Sequence, residues 1–379
     1  MSAPDGVEGF SSTAALFADV DQQAADETAE QRRDDESQWP LETMTSKAVS
    51  DTPPEPDWLL KLSGSGYLQR GKVCLFTAPG GTGKSFAAVG LGLAVATEKA
   101  WLRPGAWSDR KNYPKGNKLP EIPKGIEVTK PGHVVLILGE EEPEDAKRRI
   151  HYTAKMMGLK PGELDSGRLH VMSLAGKSPR LIRSDKGGQA ARSTLYESLF
   201  RRLENLTPEG LALVVIDPLA RFAGPDAEVS PDAATAFMEA MEALTQLEGR
   251  PSVLVLHHER KSGGSGASAA RGTTALVDAP RAALRLKRIV RKAPSGSNQE
   301  DVWLEVDGHR ALWLLNTKAN NGPLGKPMML VIDSKHNGAV RAAATGEVES
   351  IKALLAPKAS SSKGSAGPDK PRSRNPYAK

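Results

Sequence analysis

The chain has 379 residues, 39% of them hydrophobic, with 51 Lys and Arg against 46 Asp and Glu for a net charge of +5. Its single cysteine, Cys74, excludes an intrachain disulfide and any Cys-based metal site, which fits a reducing cytoplasm. No basic stretch leads into an apolar one at the start and no apolar run is long enough to cross a bilayer, so neither a signal peptide nor a membrane span is expected.

In chain order, residues 1–57 hold 14 acidic side chains against Arg32, Arg33 and Lys47. They are rich in Ala, Gln, Ser and Thr, so 1–55 is expected to be a disordered acidic arm. Pro53-Pro54-Glu55-Pro56 makes a stiff boundary to one domain over 56–355. A buried strand is predicted over 72–77 and a helix over 84–99. Residues 101–132, polar and rich in Pro and Lys, read as an insertion. Then come strand 133–138, helix 143–158, a short strand 168–174, helix 191–206, strand 211–216, helix 231–247 and strand 252–257. This alternation predicts a mostly parallel sheet with helices on both faces. Segments 281–290, 301–306, 311–317 and 327–333 are strand-like with short Gly, Asn or Pro turns, and predict an antiparallel extension of the same sheet. Residues 356–379 read as a disordered tail with six basic side chains against Asp369. With both ends set apart, 58–355 is strongly basic, which suits a polyanionic partner.

Between the first strand and its helix lies Ala78-Pro79-Gly80-Gly81-Thr82-Gly83-Lys84-Ser85. Strand, glycine loop and helix N-terminus occur in the order a polyphosphate site needs. Gly80, Gly81 and Gly83 let backbone N–H groups turn inward. Lys84 reaches the β/γ-phosphates of ATP, and Ser85 ligates Mg²⁺. Leu213-Val214-Val215-Ile216-Asp217 is an apolar strand ending in a carboxylate suited to hold that Mg²⁺, although Asp217-Pro218 is also a good turn dipeptide. Glu140-Glu141-Glu142 follows strand 133–138 at the carboxyl edge of the sheet. A Glu there can polarise the water that attacks the γ-phosphate, while an acidic side chain before Pro143 also suits a helix start. His257-His258 ends strand 252–257 at the same edge, where a polar group can touch the γ-phosphate; a satisfied core histidine is the bland alternative. Residues 259–272 are small and polar, with Arg260, Lys261 and Arg271. They suit a basic loop on nucleic-acid phosphates, or a solvated connector.

This ordered set resembles the RecA-like ATPases, most closely the plasmid RepA-type hexameric replicative DNA helicases, over roughly 58–340. Added to the pieces above are Arg271-Gly272-Thr273-Thr274-Ala275-Leu276-Val277-Asp278 and Lys318-Ala319-Asn320-Asn321-Gly322. The resemblance implies a homo-oligomeric, hexameric ring. ATP sits at subunit interfaces and single-stranded DNA in the channel, and a primase or initiator protein is a separate partner. It implies Glu141 as catalytic base, Asp217 as the Mg²⁺ residue and His257/His258 as γ-phosphate sensor. RepA-type members carry an Arg shortly before the Lys-Ala-Asn piece. Here that stretch is Leu312-Trp313-Leu314-Leu315-Asn316, and resemblance to DnaB-type helicases implies Lys318 in its place; a guard Lys on an edge strand is the alternative. A regulatory ATPase similar to KaiC-like proteins is the second functional reading. A small-molecule kinase is the third, and the least favoured.

Overall fold

The computed structural model describes residues 43–104, 125–184, 190–259, 275–293 and 300–356. The chain divides into two compact units, Met1–Glu55 and Pro56–Lys379. In the first, the described part is a single exposed turn of helix, α1 (Ser46–Ser50), whose N-terminus is capped by the Thr45 hydroxyl accepting from Ala48 N. It falls within the stretch expected to be disordered. Of that arm, 1–42 lies outside the described residues, as do 105–124 of the insertion, the Arg260–Lys261–Arg271 loop and the tail from 357.

The second unit is built on one ten-stranded sheet. Its parallel half contains β3 (Val73–Ala78), β5 (His133–Leu138), β6 (Leu169–Ser173), β9 (Leu211–Asp217), β10 (Ser252–His258) and β11 (Ala282–Arg288). Its antiparallel half adds β14 (Glu305–Val306), β15 (His309–Ala319), β16 (Met328–Asp333) and β17 (Ala339–Ala342), in the order β17-β16-β15-β11-β3-β10-β9-β5-β6 with β14 on β15. The helices are α2 (Lys84–Thr97), α3 (Pro143–Met157), α4 (Thr194–Glu204), α5 (Leu219–Ala223), α6 (Pro231–Leu244), α7 (Ala275–Asp278) and α8 (Thr345–Leu355). This is the α/β architecture that the sequence predicts: a mostly parallel sheet covered on both faces, with an antiparallel C-terminal extension.

Period-2 alternation sorts the core strands into two clusters. Cys74 and Phe76 of β3, Leu213 and Val215 of β9, and Leu254 and Leu256 of β10 pack with α2 on one face. Val73 and Leu75, Val214 and Ile216, and Val253 and Val255 pack with α4, α5 and α6 on the other. Helix α2 is apolar nearly all round because it is enclosed between the sheet, α3 and Trp101, which lies beside a small outer sheet. That outer sheet was not predicted. It joins β1 (Trp58–Leu62), β2 (Ser65–Gln69) and β4 (Glu127–Val128), and Trp101 pairs with Ile126 beside it. The described ends of the insertion thus close back on the domain. Further unpredicted strands are β17 and the hairpin of β7 (Ile182–Ser184) with β8 (Ala190–Arg192), the latter inside predicted helix 191–206. The segment read as strand 301–306 is two short pieces, β13 (Val302–Trp303) and β14; β13 pairs with β12 (Val290–Arg291).

Candidate nucleotide site

The carboxyl ends of β3, β10, β9 and β5 lie side by side, so the loops after them converge. The phosphate loop leaves β3 and enters α2. Gly81 and Gly83 have φ of +71° and +76°, backbone that only glycine adopts without strain. At Gly83 a Cβ would also lie 2.6 Å from Val340 Cγ2, so β17 presses directly on the loop. Gly80 needs no such freedom; its carbonyl accepts from Arg288 Nη2 at 2.8 Å. The Thr82 hydroxyl closes the loop by donating to Pro79 O at 2.6 Å. Gly83 caps α2 without a side-chain bond, which leaves the first N–H groups of the helix for an anion.

Lys84 is 6% exposed, and its Nζ is buried with no hydrogen-bond partner. Burial lowers its pKa to about 8, against the opposing pull of Asp217, Glu140 and Glu259. A buried cation without a hydrogen-bond partner beside a glycine loop suits a phosphate. The Ser85 hydroxyl hydrogen-bonds the Asp217 carboxylate. Asp217 is itself 7% exposed, and its pKa is raised by burial despite Lys84, Ser85 and Arg149. A hydroxyl and a carboxylate paired at a strand end match the oxygen set that Mg²⁺ takes with a polyphosphate.

The acidic triplet is resolved by position. Gly139 N donates to Asp217 O at 2.7 Å and ties this turn to the end of β9. Glu140 points to solvent and pairs with Arg221 at 2.8 Å. Glu142 is the exposed N-cap of α3, ahead of Pro143, Glu144 and Asp145. Glu141 alone turns inward. One of its oxygens meets Arg149 Nη2 at 2.9 Å, and the other, Oε2, is buried without a partner. Burial raises its pKa, with Arg149 opposing. Glu142 thus takes the helix-start position, and Glu141 is the member of the triplet that turns inward.

The histidine pair is separated by the pleat. His257 is 1% exposed and follows Val253 and Val255 onto the face away from α2. His258 faces α2 and lines a cavity of about 350 Å³ with the phosphate loop. Burial, then Lys84, lowers its pKa. The same cavity brings in Arg149 and Arg310, which sequence reading did not single out. Arg310 is the second residue of β15, just before the Arg-free stretch, and lies over the Trp303 ring at 5.1 Å, with Arg288 over the same ring at 4.5 Å.

Lys318 is not brought to this cavity. Through β11 it is level with Leu75, near the start of β3, whereas the phosphate loop leaves the other end. That is roughly 10 Å along the strand and roughly 10 Å across the sheet from the phosphate loop. Its Nζ donates to Val277 O and Asp278 O at the end of α7, at 3.3 and 2.5 Å. β15 pairs with β16 only from Arg310 to Leu314, so at Lys318 it is paired on the β11 side alone. Arg260, Lys261 and Arg271 lie outside the described residues; Glu259, at the entrance to their loop, is held by Arg285 through two bonds of 2.7 and 2.9 Å.

A family described as AAA domain matches residues 35–264, more than half of the chain. No curated protein matches. Among solved structures, the crystal structure of the RadB recombinase is similar with a TM-score of 0.43 at 14% identity, covering 74% of this chain and 94% of that one. Among the described residues no helix is long and apolar enough to cross a membrane.

Proposed function

The chain belongs to the AAA domain family, and from that premise we propose that this ATPase is a RepA-type DNA helicase or translocase, working as a ring on single-stranded DNA. One observation carries the ATP chemistry. A buried cation without a partner, a Ser–Asp pair and an inward carboxylate with one free oxygen meet at a single sheet edge. Lys84 and the free N–H groups of α2 bind and orient the β- and γ-phosphates. Ser85 and Asp217 would hold Mg²⁺, which when bound would neutralise phosphate charge. Glu141 Oε2 accepts the proton of the attacking water, and His258 faces the γ-phosphate position. Lys318, out of reach of its own loop, is the cation offered to a neighbouring subunit.

The DNA part of the reading rests on the basic 58–355 stretch, the Arg260–Arg271 loop leaving the γ-phosphate strand, and the family resemblance. ATPase activity measured with and without single-stranded DNA, beside mass photometry, tests it. Stimulation by DNA in a ring supports a helicase; a ring whose turnover ignores DNA points to the regulatory ATPase instead.

Two variants probe the finer assignments. Reversing Arg260 and Lys261 to Glu is expected to weaken single-stranded DNA binding alike for all sequences and to flatten its salt dependence, with basal ATPase kept. Unchanged affinity and slope would return the loop to a connector. Lys318→Ala is expected to form rings and bind ATP yet hydrolyse poorly. Mixing it with Lys84→Ala subunits should restore some turnover, because some mixed interfaces pair an intact Lys84 with an intact Lys318. Full DNA-stimulated turnover in Lys318→Ala alone removes the assignment.

A further inference from the structure

Glu141 can serve as a base only if its free oxygen is held toward the nucleotide, and the side chain that holds it lies on another element. Arg149 sits midway along α3. Its Nη2 is 2.9 Å from Glu141 Oε1, which leaves Oε2 as the one carboxylate oxygen without a partner. Its guanidinium carbon also lies over the Phe86 ring, 4.7 Å from the centroid. Phe86 directly follows Ser85 in the nucleotide-binding helix, and Arg149 lines the cavity that contains the phosphate loop and His258. One side chain therefore touches the carboxylate, the helix that carries the phosphate loop, and the cavity.

We infer that Arg149 is a positioning residue: pinned on Phe86, it fixes one oxygen of Glu141 so that the other faces the water in line with the γ-phosphate. The inference rests on the ATPase reading and adds a residue to it. A carboxylate held at one oxygen by a charged donor samples fewer orientations than one without that donor. Arg149 acts through Glu141 and is not itself a phosphate ligand, so its loss should be felt in turnover and not in binding. The stack on Phe86 lets movement of α2 on nucleotide binding reach the base directly.

The test is a double-mutant cycle with Glu141→Gln. Arg149→Ala is expected to lower kcat roughly tenfold to a hundredfold, the usual cost of a catalytic group left unheld, with KM for ATP and Kd for a fluorescent ADP within about twofold of the parent. Arg149→Lys, which keeps the charge without the flat face, should recover part of kcat. In the Glu141→Gln background Arg149→Ala should cost under about twofold more. A rise in KM at unchanged kcat, or equal losses in both backgrounds, would overturn the positioning role.

Melting of the nucleotide-free protein supplies a second readout. Arg149→Ala should lower Tm by leaving a largely buried carboxylate unpaired, and adding Glu141→Gln should raise it again. A Tm loss that Glu141→Gln does not relieve would overturn the pairing. If Arg149→Ala fails to fold, Arg149→Lys and its double variant with Glu141→Gln carry both readouts. A parent protein that binds ADP but hydrolyses nothing would sink the ATPase reading, while the melting cycle would still decide the pair.

Discussion

Lys84→Ala is expected to abolish ATP hydrolysis, by roughly 10²–10³-fold or more, and to weaken nucleotide binding. The expectation follows from burial. Lys84 Nζ has no hydrogen-bond partner, and burial brings its pKa down to about 8, so the ligand-free fold carries a charge that it solvates poorly. A polyphosphate supplies the missing anion. The same reasoning gives a sign for stability. The folded value lies below the unfolded one, so between about pH 8 and the ordinary lysine range the unfolded chain binds a proton that the folded site has released. The Lys84 contribution to the stability of the ligand-free protein is therefore least favourable at pH 7 and improves as pH rises through that window. The difference is worth on the order of 3 kcal/mol. Lys84→Met keeps the apolar stem and removes the charge. It should melt above the parent at pH 7 without nucleotide, lose most of the parent's rise toward pH 10, and gain less from Mg²⁺-ATP. A Lys84→Met protein that melts below the parent without nucleotide, and hydrolyses ATP normally, would refute the phosphate assignment.

The parts of this site that the sequence discloses are those where neighbours in sequence are neighbours in space. Ala78 to Ser85 is one continuous strand–loop–helix passage, so residue type and order suffice. Asp217 is legible because four apolar residues precede it on a fully buried strand. The acidic triplet is not separable from sequence. Which Glu turns inward depends on Gly139 bonding to Asp217 O and on Arg149, eight residues beyond Glu141. Helical spacing places Arg149 on α3 but does not say what α3 faces. The His257–His258 pair could have been split by alternation, since Leu254 and Leu256 share the α2 face with His258. The β1–β2 hairpin escaped because Leu59 and Leu60 are consecutive and both buried. A register shift between Leu60 and Lys61 breaks the period-2 signal there. Strand β17 is Ala-rich and four residues long, too weak a pattern to read, yet its Val340 packs on the phosphate loop.

Glu141→Gln should keep nucleotide binding and ring formation while turnover falls by roughly 10²–10⁴-fold, the range a positioned general base contributes. The substitution is nearly isosteric. It leaves Lys84, Ser85 and Asp217 untouched, and it removes the charge that pairs with Arg149 together with the ability of one buried oxygen to take a proton. Glu140→Gln and Glu142→Gln serve as internal controls. Glu140 is committed to a solvent-exposed pair with Arg221, and Glu142 lies exposed at the helix cap, so both variants should turn over within about threefold of the parent. The pH profile gives a further arm. Burial raises the Glu141 pKa, with Arg149 opposing it and Asp217, Asp145 and Glu140 adding to the rise. The base must be ionised to act, so the acid limb of kcat in the parent should lie above the ordinary Glu range, with activity lost as pH falls through it. In Glu141→Gln the residual rate should show no such limb. Parent-like turnover in Glu141→Gln, with the loss appearing in Glu140→Gln or Glu142→Gln instead, would mean that the carboxylate facing Arg149 is structural and that the base is one of its neighbours.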